Sequence, residues 1–254
     1  MIFDTHAHYD DEAFDIDREE FLQSLPMNGV EYVVDVSSTV ESVQQVLAIT
    51  DQYPFIYAAV GIHPNETQTL QEESYAWLKE MAKHPKNVAI GEIGLDYYDD
   101  PVERSIQKLW FERQIELARE CKLPLIIHSR DAANDTYELL KETKADEIGA
   151  IIHCYSYGVE QARQYLNKGF LLGIGGVVTF TNAKKLKEVV EYAPLEQLVL
   201  ETDCPYLAPV PFRGKRNSSI NLTYVAKEIA RIKNVEYDTV LKTTNKNARK
   251  FYRI

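Results

Sequence analysis

Two histidines separated by one small residue close the first predicted strand, which covers residues 1–8. Side chains two residues apart in a strand point to the same face, with Cα atoms about 6–7 Å apart. His6 and His8 therefore present two imidazole groups on one side of the chain, close enough to bind a single cation. A pair of this kind is equally typical of one histidine packed in the core and another capping a turn, so the rest of the chain must decide between the two.

Further histidines and two acidic residues occupy equivalent places later in the chain. Five of the six histidines lie at or just after the C-terminal end of a predicted strand: His6, His8, His63, His128 and His153. Glu92 lies in an otherwise apolar strand and Asp203 ends the last one. His84, before Pro85, is the exception, and we expect a surface role for it. The C-terminal ends of the strands in a parallel barrel face one mouth, so this pattern predicts a metal site there.

The elements that position these residues alternate regularly. Short β-branched segments at 1–8, 32–36, 55–60, 88–93, 125–128, 150–153, 170–174 and 198–203 are each followed by an amphipathic, helix-like segment. Eight such units of about 32 residues predict an α/β fold, a (β/α)8 TIM barrel. Because no linker or shift in composition interrupts the 254 residues, we expect a single domain over 1–254.

Composition limits the function classes. The chain is 45% hydrophobic and 26% charged, which suits a globular protein with a sizeable core. A net charge of −11 argues against a protein that binds nucleic acid over its whole surface, so a polyanion must be bound locally. Three widely spaced cysteines (Cys121, Cys154 and Cys204) indicate free thiols. With no span-length apolar segment and no signal-peptide pattern, we expect a cytoplasmic protein without a membrane segment or an obligate protein partner.

The number of candidate ligands indicates two ions. The set contains four imidazoles and two carboxylates: His6, His8, His128, His153, Glu92 and Asp203. We place His6, His8 and Asp203 on one ion, because the first and eighth strands of a closed barrel are neighbours. His128 and His153 then bind the second ion, and Glu92 bridges two ions about 3.5–4 Å apart. The alternative for Glu92 is a structural, hydrogen-bonded carboxylate, although a buried charge without a partner is costly.

The same residues lie in segments that resemble the TatD family of metal-dependent deoxyribonucleases, within the amidohydrolase-like barrels, over nearly the full length of the chain. The matching segments are 3–8, 61–64, 91–97, 127–132, 153–156, 179–183, 201–203 and 213–217. The resemblance implies the six metal ligands named above and two divalent cations, which can be Mg, Mn, Zn or Ni. It also implies hydrolysis of phosphodiester bonds in DNA, single-stranded or at 3′ ends, typically as a 3′-to-5′ exonuclease. The chain departs from the family pattern at Tyr157 and Ser219, outside the ligand set.

Two carboxylates are candidate catalytic residues. Asp203 can orient or deprotonate the attacking water in addition to binding metal. Glu201 lies two residues earlier on the same face of the strand and can orient a metal ligand from behind. Its alternative role is a charge inside the barrel that pairs with Lys or Arg.

Substrate contacts are predicted in the loop that follows the eighth strand. Residues 209–217 form a stiff, basic segment in an acidic chain, and we expect Arg213 and Asn217 to contact the substrate. Lys184 and Lys185, after the seventh strand, extend this patch, and His63 is predicted to donate a hydrogen bond to substrate near the metals. An ordinary solvated turn is the alternative for the loop.

Two other function classes share this scaffold. One is a hydrolase of a small-molecule or aminoacyl ester or amide, because such barrels use similar metal chemistry on many substrates. The other is a metal-binding interaction module without catalytic activity. The basic loop favours an anionic phosphate over a neutral substrate, and a module that only binds a partner has no need for six convergent ligands.

Overall fold

The computed structural model describes residues 1–98 and 101–254, and within them eight parallel strands follow one another around a barrel in chain order. The strands are β1 (Ile2–Ala7), β2 (Val30–Val36), β3 (Ile56–Val60), β4 (Asn87–Asp96), β5 (Leu125–Arg130), β6 (Ala150–Ile152), β7 (Leu171–Ile174) and β8 (Leu198–Leu200). The prediction of a (β/α)8 barrel is confirmed.

A helix follows each strand, and one more ends the chain. The helices are α1 (Arg18–Ser24), α2 (Val40–Gln52), α3 (Glu72–Met81), α4 (Arg104–Cys121), α5 (Ala133–Glu142), α6 (Val159–Asn167), α7 (Lys184–Tyr192), α8 (Leu222–Lys233) and α9 (Tyr237–Tyr252). Local sequence sets their ends, as at α2, where the Thr39 side chain accepts the backbone N–H of Ser42. Among the described residues, no helix combines the length and the apolar character that crossing a bilayer requires.

The barrel closes between β1 and the segment after β8. The backbone N–H of His8 donates to the carbonyl of Cys204 over 2.8 Å, and that of Asp203 donates to the carbonyl of His6 over 2.9 Å. The hydroxyl of Thr5 donates to the carbonyl of Leu200 over 3.0 Å. This closure brings His6 of β1 and His8, just after the strand, beside Asp203, the neighbourhood that the sequence predicted.

The opposite end of β1 is covered by the last helix. The ring of Tyr252 in α9 stacks on Phe3, with centroids 5.8 Å apart. Its hydroxyl donates to the backbone carbonyl of Thr5 over 2.9 Å and so satisfies a buried acceptor. Both rings are almost fully buried, so this end of the barrel is filled by packed side chains while the mouth carries the polar ones.

Strand lengths differ from the prediction where the polar residues lie. β4 continues to Asp96, because its pairing with β5 extends to Arg130, so that Glu92 lies within the strand rather than at its end. β8 stops at Leu200, because the backbone then bonds across to β1 and Asp203 takes a left-handed conformation with φ of 56°. Such backbone conformations in a residue other than glycine are uncommon and cluster at functional sites.

Candidate metal centre

The carboxylate of Glu92 lies between two sets of imidazole nitrogens at the barrel mouth. Its Oε2 is 3.3 Å from Nε2 of His6 and 4.0 Å from Nε2 of His8. Its Oε1 is 2.5 Å from Nδ1 of His128 and 3.8 Å from Nε2 of His153. Each oxygen thus faces a different pair of histidines, the geometry that a bridging carboxylate requires.

Asp203 contributes the second carboxylate of this cluster. Its Oδ1 lies 3.3 Å from Nε2 of His8, 3.6 Å from Nε2 of His153 and 3.8 Å from Nε2 of His6. His6, His8 and Asp203 place one ligand atom each within 4.8 Å of one another, the trio that the sequence analysis put on one ion.

The expected pair of His128 and His153 faces one oxygen of Glu92, Oε1, but the tightest groups of ligand atoms divide these two histidines. Among the described residues, the ligand atoms within 4.8 Å of one another group His128 with Glu92 and His63, and group His153 with His6 or Asp203. The reason is that His153 stacks on His6, with ring centroids 3.5 Å apart, which turns it toward β1 and Asp203.

A hydrogen bond behind His8 and an ion pair behind His153 set which nitrogens face the cluster. Nδ1 of His8 lies 2.8 Å from the carbonyl of Val36, and because a carbonyl only accepts, this nitrogen carries the proton. The Nε2 lone pair of a neutral His8 is therefore directed at the cluster. Nδ1 of His153 lies 3.1 Å from Oε2 of Glu201, a carboxylate–histidine pair of the kind that orients metal ligands.

Glu201 lies behind the cluster and not in the mouth. It is 1% exposed, and within residues 1–98 and 101–254 its ion pair is with His153 and involves no Lys or Arg. Its carboxylate fits against Gly173 of β7, where an added Cβ would come within 2.1 Å of Oε2. This position is that of a residue that orients His153, and a direct catalytic contact of Glu201 with substrate does not fit the structure.

His63 has a hydrogen-bonding pattern different from that of the other histidines. The backbone N–H of Asn65 donates to its Nδ1 over 3.2 Å, so the proton of the neutral ring is on Nε2. Burial, followed by the neighbouring charge of His128, lowers the pKa of His63 to about 3, which keeps the ring neutral. Nε2, 4.0 Å from Oε1 of Glu92, is therefore a hydrogen-bond donor beside the cluster, not a lone pair for a metal.

Asp96 is a neighbour of the cluster that the list of predicted site residues did not contain. Its Oδ2 lies 3.0 Å from Nε2 of His128, on the side of the ring opposite Glu92. β4 and β5 approach closely here because Gly94 has no side chain, and an added Cβ would lie 1.9 Å from the carbonyl oxygen of His128. Asp96 lies three residues after the predicted end of this strand, and an acidic residue at that place is the signal that could have identified it.

The charges of the cluster depend on one another. Burial alone would raise the pKa of Glu92, yet the charges of His153 and His128 hold it well below its usual range. For His8, burial alone would lower the pKa, but the hydrogen bond and the charge of Asp203 outweigh burial and raise the pKa to about 10. Burial would also raise the pKa of Asp203, but the charge of His153 and the hydrogen bond with His8 lower it. Both carboxylates are therefore ionised, and cations that bind here displace protons from the imidazoles.

A cavity of about 320 Å³ opens above the cluster. Besides the predicted ligands and His63, its lining includes six polar side chains that sequence analysis did not single out: Asp10, Asp11, Ser38, Asn65, Glu66 and Tyr206. Most lie in loops, whose side chains show no periodicity in the sequence. Asp10, two residues after His8, is the one whose spacing could have drawn attention.

The basic loop after β8 is only partly available to a substrate. Arg216 makes two 2.6 Å hydrogen bonds to the carboxylate of Asp17, which occupies its guanidinium group. Arg213 is exposed and lies over the ring of Phe180, 4.3 Å from its centroid.

The prediction of a substrate contact for Asn217 is not supported. Asn217 is 1% exposed, and its amide donates to the carbonyl of Thr202 over 3.0 Å and accepts the N–H of Ser218 over 2.8 Å. A side chain whose amide bonds internally in this way holds the loop to the end of β8 and has little capacity left for a ligand.

The residues of the cluster fit divalent cations. The Nε2 atoms of His6 and His8 lie only 3.1 Å apart, so their two lone pairs need a proton or a cation between them. A cation shared with the nearby carboxylate oxygens satisfies these lone pairs, and a mixed imidazole and carboxylate donor set suits first-row divalent metals. The fold and this cluster define a (β/α)8 barrel with a candidate metal centre at the C-terminal ends of its strands.

The chain belongs to the family of TatD related DNases, whose family model matches residues 3–253. It is 45% identical over 254 residues to YabD of Bacillus subtilis (strain 168), which is named a metal-dependent hydrolase, and the match covers all of both chains. It is 33% identical to the metal-dependent hydrolase YcfH of Escherichia coli (strain K12), over all of this chain and 96% of that one.

Solved structures agree with this assignment. The crystal structure of YjjV, a TatD homologue from Escherichia coli K12, has a TM-score of 0.93 and 29% sequence identity, and covers all of this chain and 98% of that chain. A TatD-family hydrolase from Entamoeba histolytica has a TM-score of 0.90 at 24% identity over 99% of this chain and 97% of that one, a likeness of fold.

Proposed function

We propose that this metal-dependent hydrolase cleaves phosphodiester bonds of DNA, working from the 3′ end with two divalent cations. The observation that carries the proposal is the position of Glu92, whose two oxygens face two different sets of ligand atoms at one barrel mouth. Two-metal sites act on phosphate esters by stabilising both the attacking and the leaving oxygen. The family name supports DNA as the substrate.

The residues of the chain have separate tasks in this proposal. When bound, the divalent cations lower the pKa of a water molecule and offset the charge of the phosphoryl transition state. Asp203, ionised and within reach of the cluster, accepts the proton of the attacking water. Glu201 holds His153 in its orientation from behind.

Recognition of the phosphate belongs to two donors. His63 donates its Nε2–H to a non-bridging oxygen, because its Nδ1 already accepts a backbone hydrogen bond. Arg213, held over Phe180, offers paired N–H groups to a neighbouring phosphate of the strand. In an acidic chain these positive and donor groups favour a polyanion over a neutral ester.

The reaction balances as a hydrolysis. Water oxygen forms a bond to phosphorus while the bond from phosphorus to the 3′ oxygen of the preceding nucleotide breaks. One proton of the water passes to Asp203, and Asp203 returns it through solvent water to the departing 3′ oxygen, which becomes a hydroxyl. The products are a nucleoside 5′-monophosphate and a strand shorter by one nucleotide.

The test is a screen of protein reconstituted with Mg, Mn, Zn or Ni against DNA labelled at its 3′ or 5′ end, single- or double-stranded. Aminoacyl esters, small esters and amides serve as controls. Stepwise loss from the 3′ end, abolished by chelator, is expected. Rapid turnover of the esters without any cleavage of DNA would reject DNA as the substrate and favour the small-molecule alternative.

A further inference from the structure

A second cavity, of about 450 Å³, adjoins the metal centre between the loops that follow β6 and β7. Its lining is largely apolar or neutral and comes from both loops and the start of α7: Cys154, Tyr155, Gly175, Val177, Ala183 and Leu186. The roles assigned above to the site residues leave this cavity unused. Its volume falls in the range of about 300–1,000 Å³ that is typical of small-molecule sites.

Cys154 connects this cavity to the metal centre. Its Sγ lies within 4.8 Å of ligand atoms of both His153 and Asp203, and the residue also lines the cavity. Gly175, another lining residue, lies beside the backbone of Glu201, whose carbonyl oxygen would be 3.2 Å from an added Cβ. The side chain of Cys154 thus borders both the metal cluster and this cavity.

The rim of the cavity is positively charged. Lys184 and Lys185 line it and are exposed, and neither forms an ion pair with another residue in the described parts of the chain. They open α7, where the helix dipole adds to the positive potential. The exposed guanidinium of Arg213 lies over Phe180, in the segment that leads to the same helix. Cations at this position are notable in a chain with a net charge of −11 and favour an anionic ligand.

We propose that this cavity binds the base and sugar of the terminal nucleotide while its 5′ phosphate lies at the metal centre. The assignment rests on the proposed function and extends it, because it names the part of the substrate that the second cavity recognises. Largely apolar walls suit a flat nucleobase, and the lysine rim suits the anionic strand. A pocket for one nucleoside accounts for release of one nucleotide at a time.

The test compares two ligands that share the phosphate and the sugar, of which only one carries a base. Deoxyadenosine 5′-monophosphate and 2-deoxyribose 5-phosphate are titrated into manganese-loaded protein by calorimetry. We expect the parent to bind the nucleotide at least about tenfold more tightly. Ala183→Phe, which fills the cavity, should reduce this preference to below about twofold while binding of the sugar phosphate stays the same.

Two further variants keep the outcome interpretable. Ser156→Trp obstructs the same cavity from an exposed position and should reproduce the loss even if Ala183→Phe folds poorly. Thr243→Phe is the matched control, because Thr243 lines a cavity of about 430 Å³ formed with Leu171 of β7 and Phe251 of α9, away from the metal cluster. It should retain the full preference for the nucleotide.

The results separate this inference from the proposed function. A parent that binds both ligands equally, or obstructed variants that keep the preference, would overturn the nucleoside pocket even if DNA is cleaved. Preferential binding that the obstructed variants lose would support the pocket even if DNA is not cleaved. A DNA strand with an abasic 3′ terminus adds a kinetic readout, since the parent should cleave it more slowly than normal DNA and Ala183→Phe should not distinguish the two.

Discussion

At the scale of single residues, Glu92 is the site residue whose charge state depends most on its neighbours. It is 4% exposed and lies in a strand whose ten residues are all buried, where an unpaired carboxylate would be costly. The histidines around it make the ionised form favourable, and cations would do so more strongly. The functional role and the structural role of this carboxylate therefore predict different results when only its charge is removed.

Glu92→Gln keeps the size of the side chain and removes its negative charge. If Glu92 bridges, both cations lose a ligand, so we expect metal content to fall at both positions and turnover to fall by several orders of magnitude even with added metal. Elemental analysis, rate and melting temperature are measured together. Glu66→Gln is the matched control, a carboxylate in the same cavity that is exposed and outside the cluster. Full metal content with a near-normal rate in Glu92→Gln would exclude the bridging role.

His63→Phe tests the hydrogen-bond donor beside the cluster. The substitution keeps a ring and removes the Nε2–H, so kcat/KM on DNA should fall by about ten- to a hundredfold, which corresponds to the loss of one hydrogen bond to a charged group of about 1.5–3 kcal/mol. Metal content should not change, because the proton on Nε2 excludes this nitrogen as a ligand. Loss of metal in this variant would instead identify His63 as a ligand.

At the scale of elements, the segment after β8 has two functions in adjacent residues. Arg216 and Asn217 tie it to the barrel, through Asp17 and through the carbonyl of Thr202. Arg213, nearer the tip, makes a cation–π contact with the ring of Phe180 and is exposed to solvent. The two arginines therefore form a matched pair for mutation, one directed to substrate and one to the fold.

Arg213→Ala should raise KM for DNA and lower kcat/KM by the equivalent of about 1.5–3 kcal/mol, without changing metal content or melting temperature. Arg216→Ala removes the pairing with Asp17 and should mainly lower the melting temperature. Steady-state kinetics at sub-saturating DNA and thermal unfolding of both variants are compared. Parent-like cleavage by Arg213→Ala would show that this arginine does not bind phosphate.

Ion pairs between α7 and α8 predict a pH dependence of stability. Glu228 accepts hydrogen bonds from Arg231 and Lys187, each at 2.9 Å, and the bond from Arg231 is the main reason that its pKa falls to about 2. Because the folded state holds this pKa below its ordinary value, the pair stabilises the protein above about pH 4.5 and loses this effect as the pH falls toward 2.

Glu228→Gln should therefore lower the free energy of unfolding by about 1 kcal/mol near neutral pH, a small value because solvent screens the pair. The loss should become smaller as the pH falls toward the folded-state pKa of Glu228. Unfolding curves of parent and variant across this range provide the measurement. Glu160→Gln, at an exposed pair with Arg163, should have no effect at any pH. A difference for Glu228→Gln that stays constant with pH would contradict the assignment.

At the scale of the whole molecule, the sequence was sufficient for the barrel and for the convergence of its polar residues. Short β-branched apolar segments are a local signal, and a parallel barrel then brings the strand ends to one mouth, which is why His6 and Asp203 could be placed together from positions nearly 200 residues apart. The orientation of rings was not predictable. The stacking of His153 on His6 and the buried amide of Asn217 depend on packing between loops, which leaves no periodic pattern in the chain.

The proposed metal ligands come from β1 and the residue after it, from β4 and β5, and from the segments after β6 and β8, so cations bound there would connect elements across the whole barrel. Only the folded state assembles this set, so free metal at about 1,000 times its dissociation constant should stabilise the fold by about 4 kcal/mol. For a chain of this size that is a rise in melting temperature of about 10 °C on adding Mn to chelated protein. Glu92→Gln should show a much smaller rise and Glu66→Gln the full one. Elemental analysis first shows that the protein binds metal and releases it to a chelator, and calorimetry then gives the melting temperature of both states. If the two melting temperatures are the same, the cations do not connect these strands, and the proposed centre is not assembled as described.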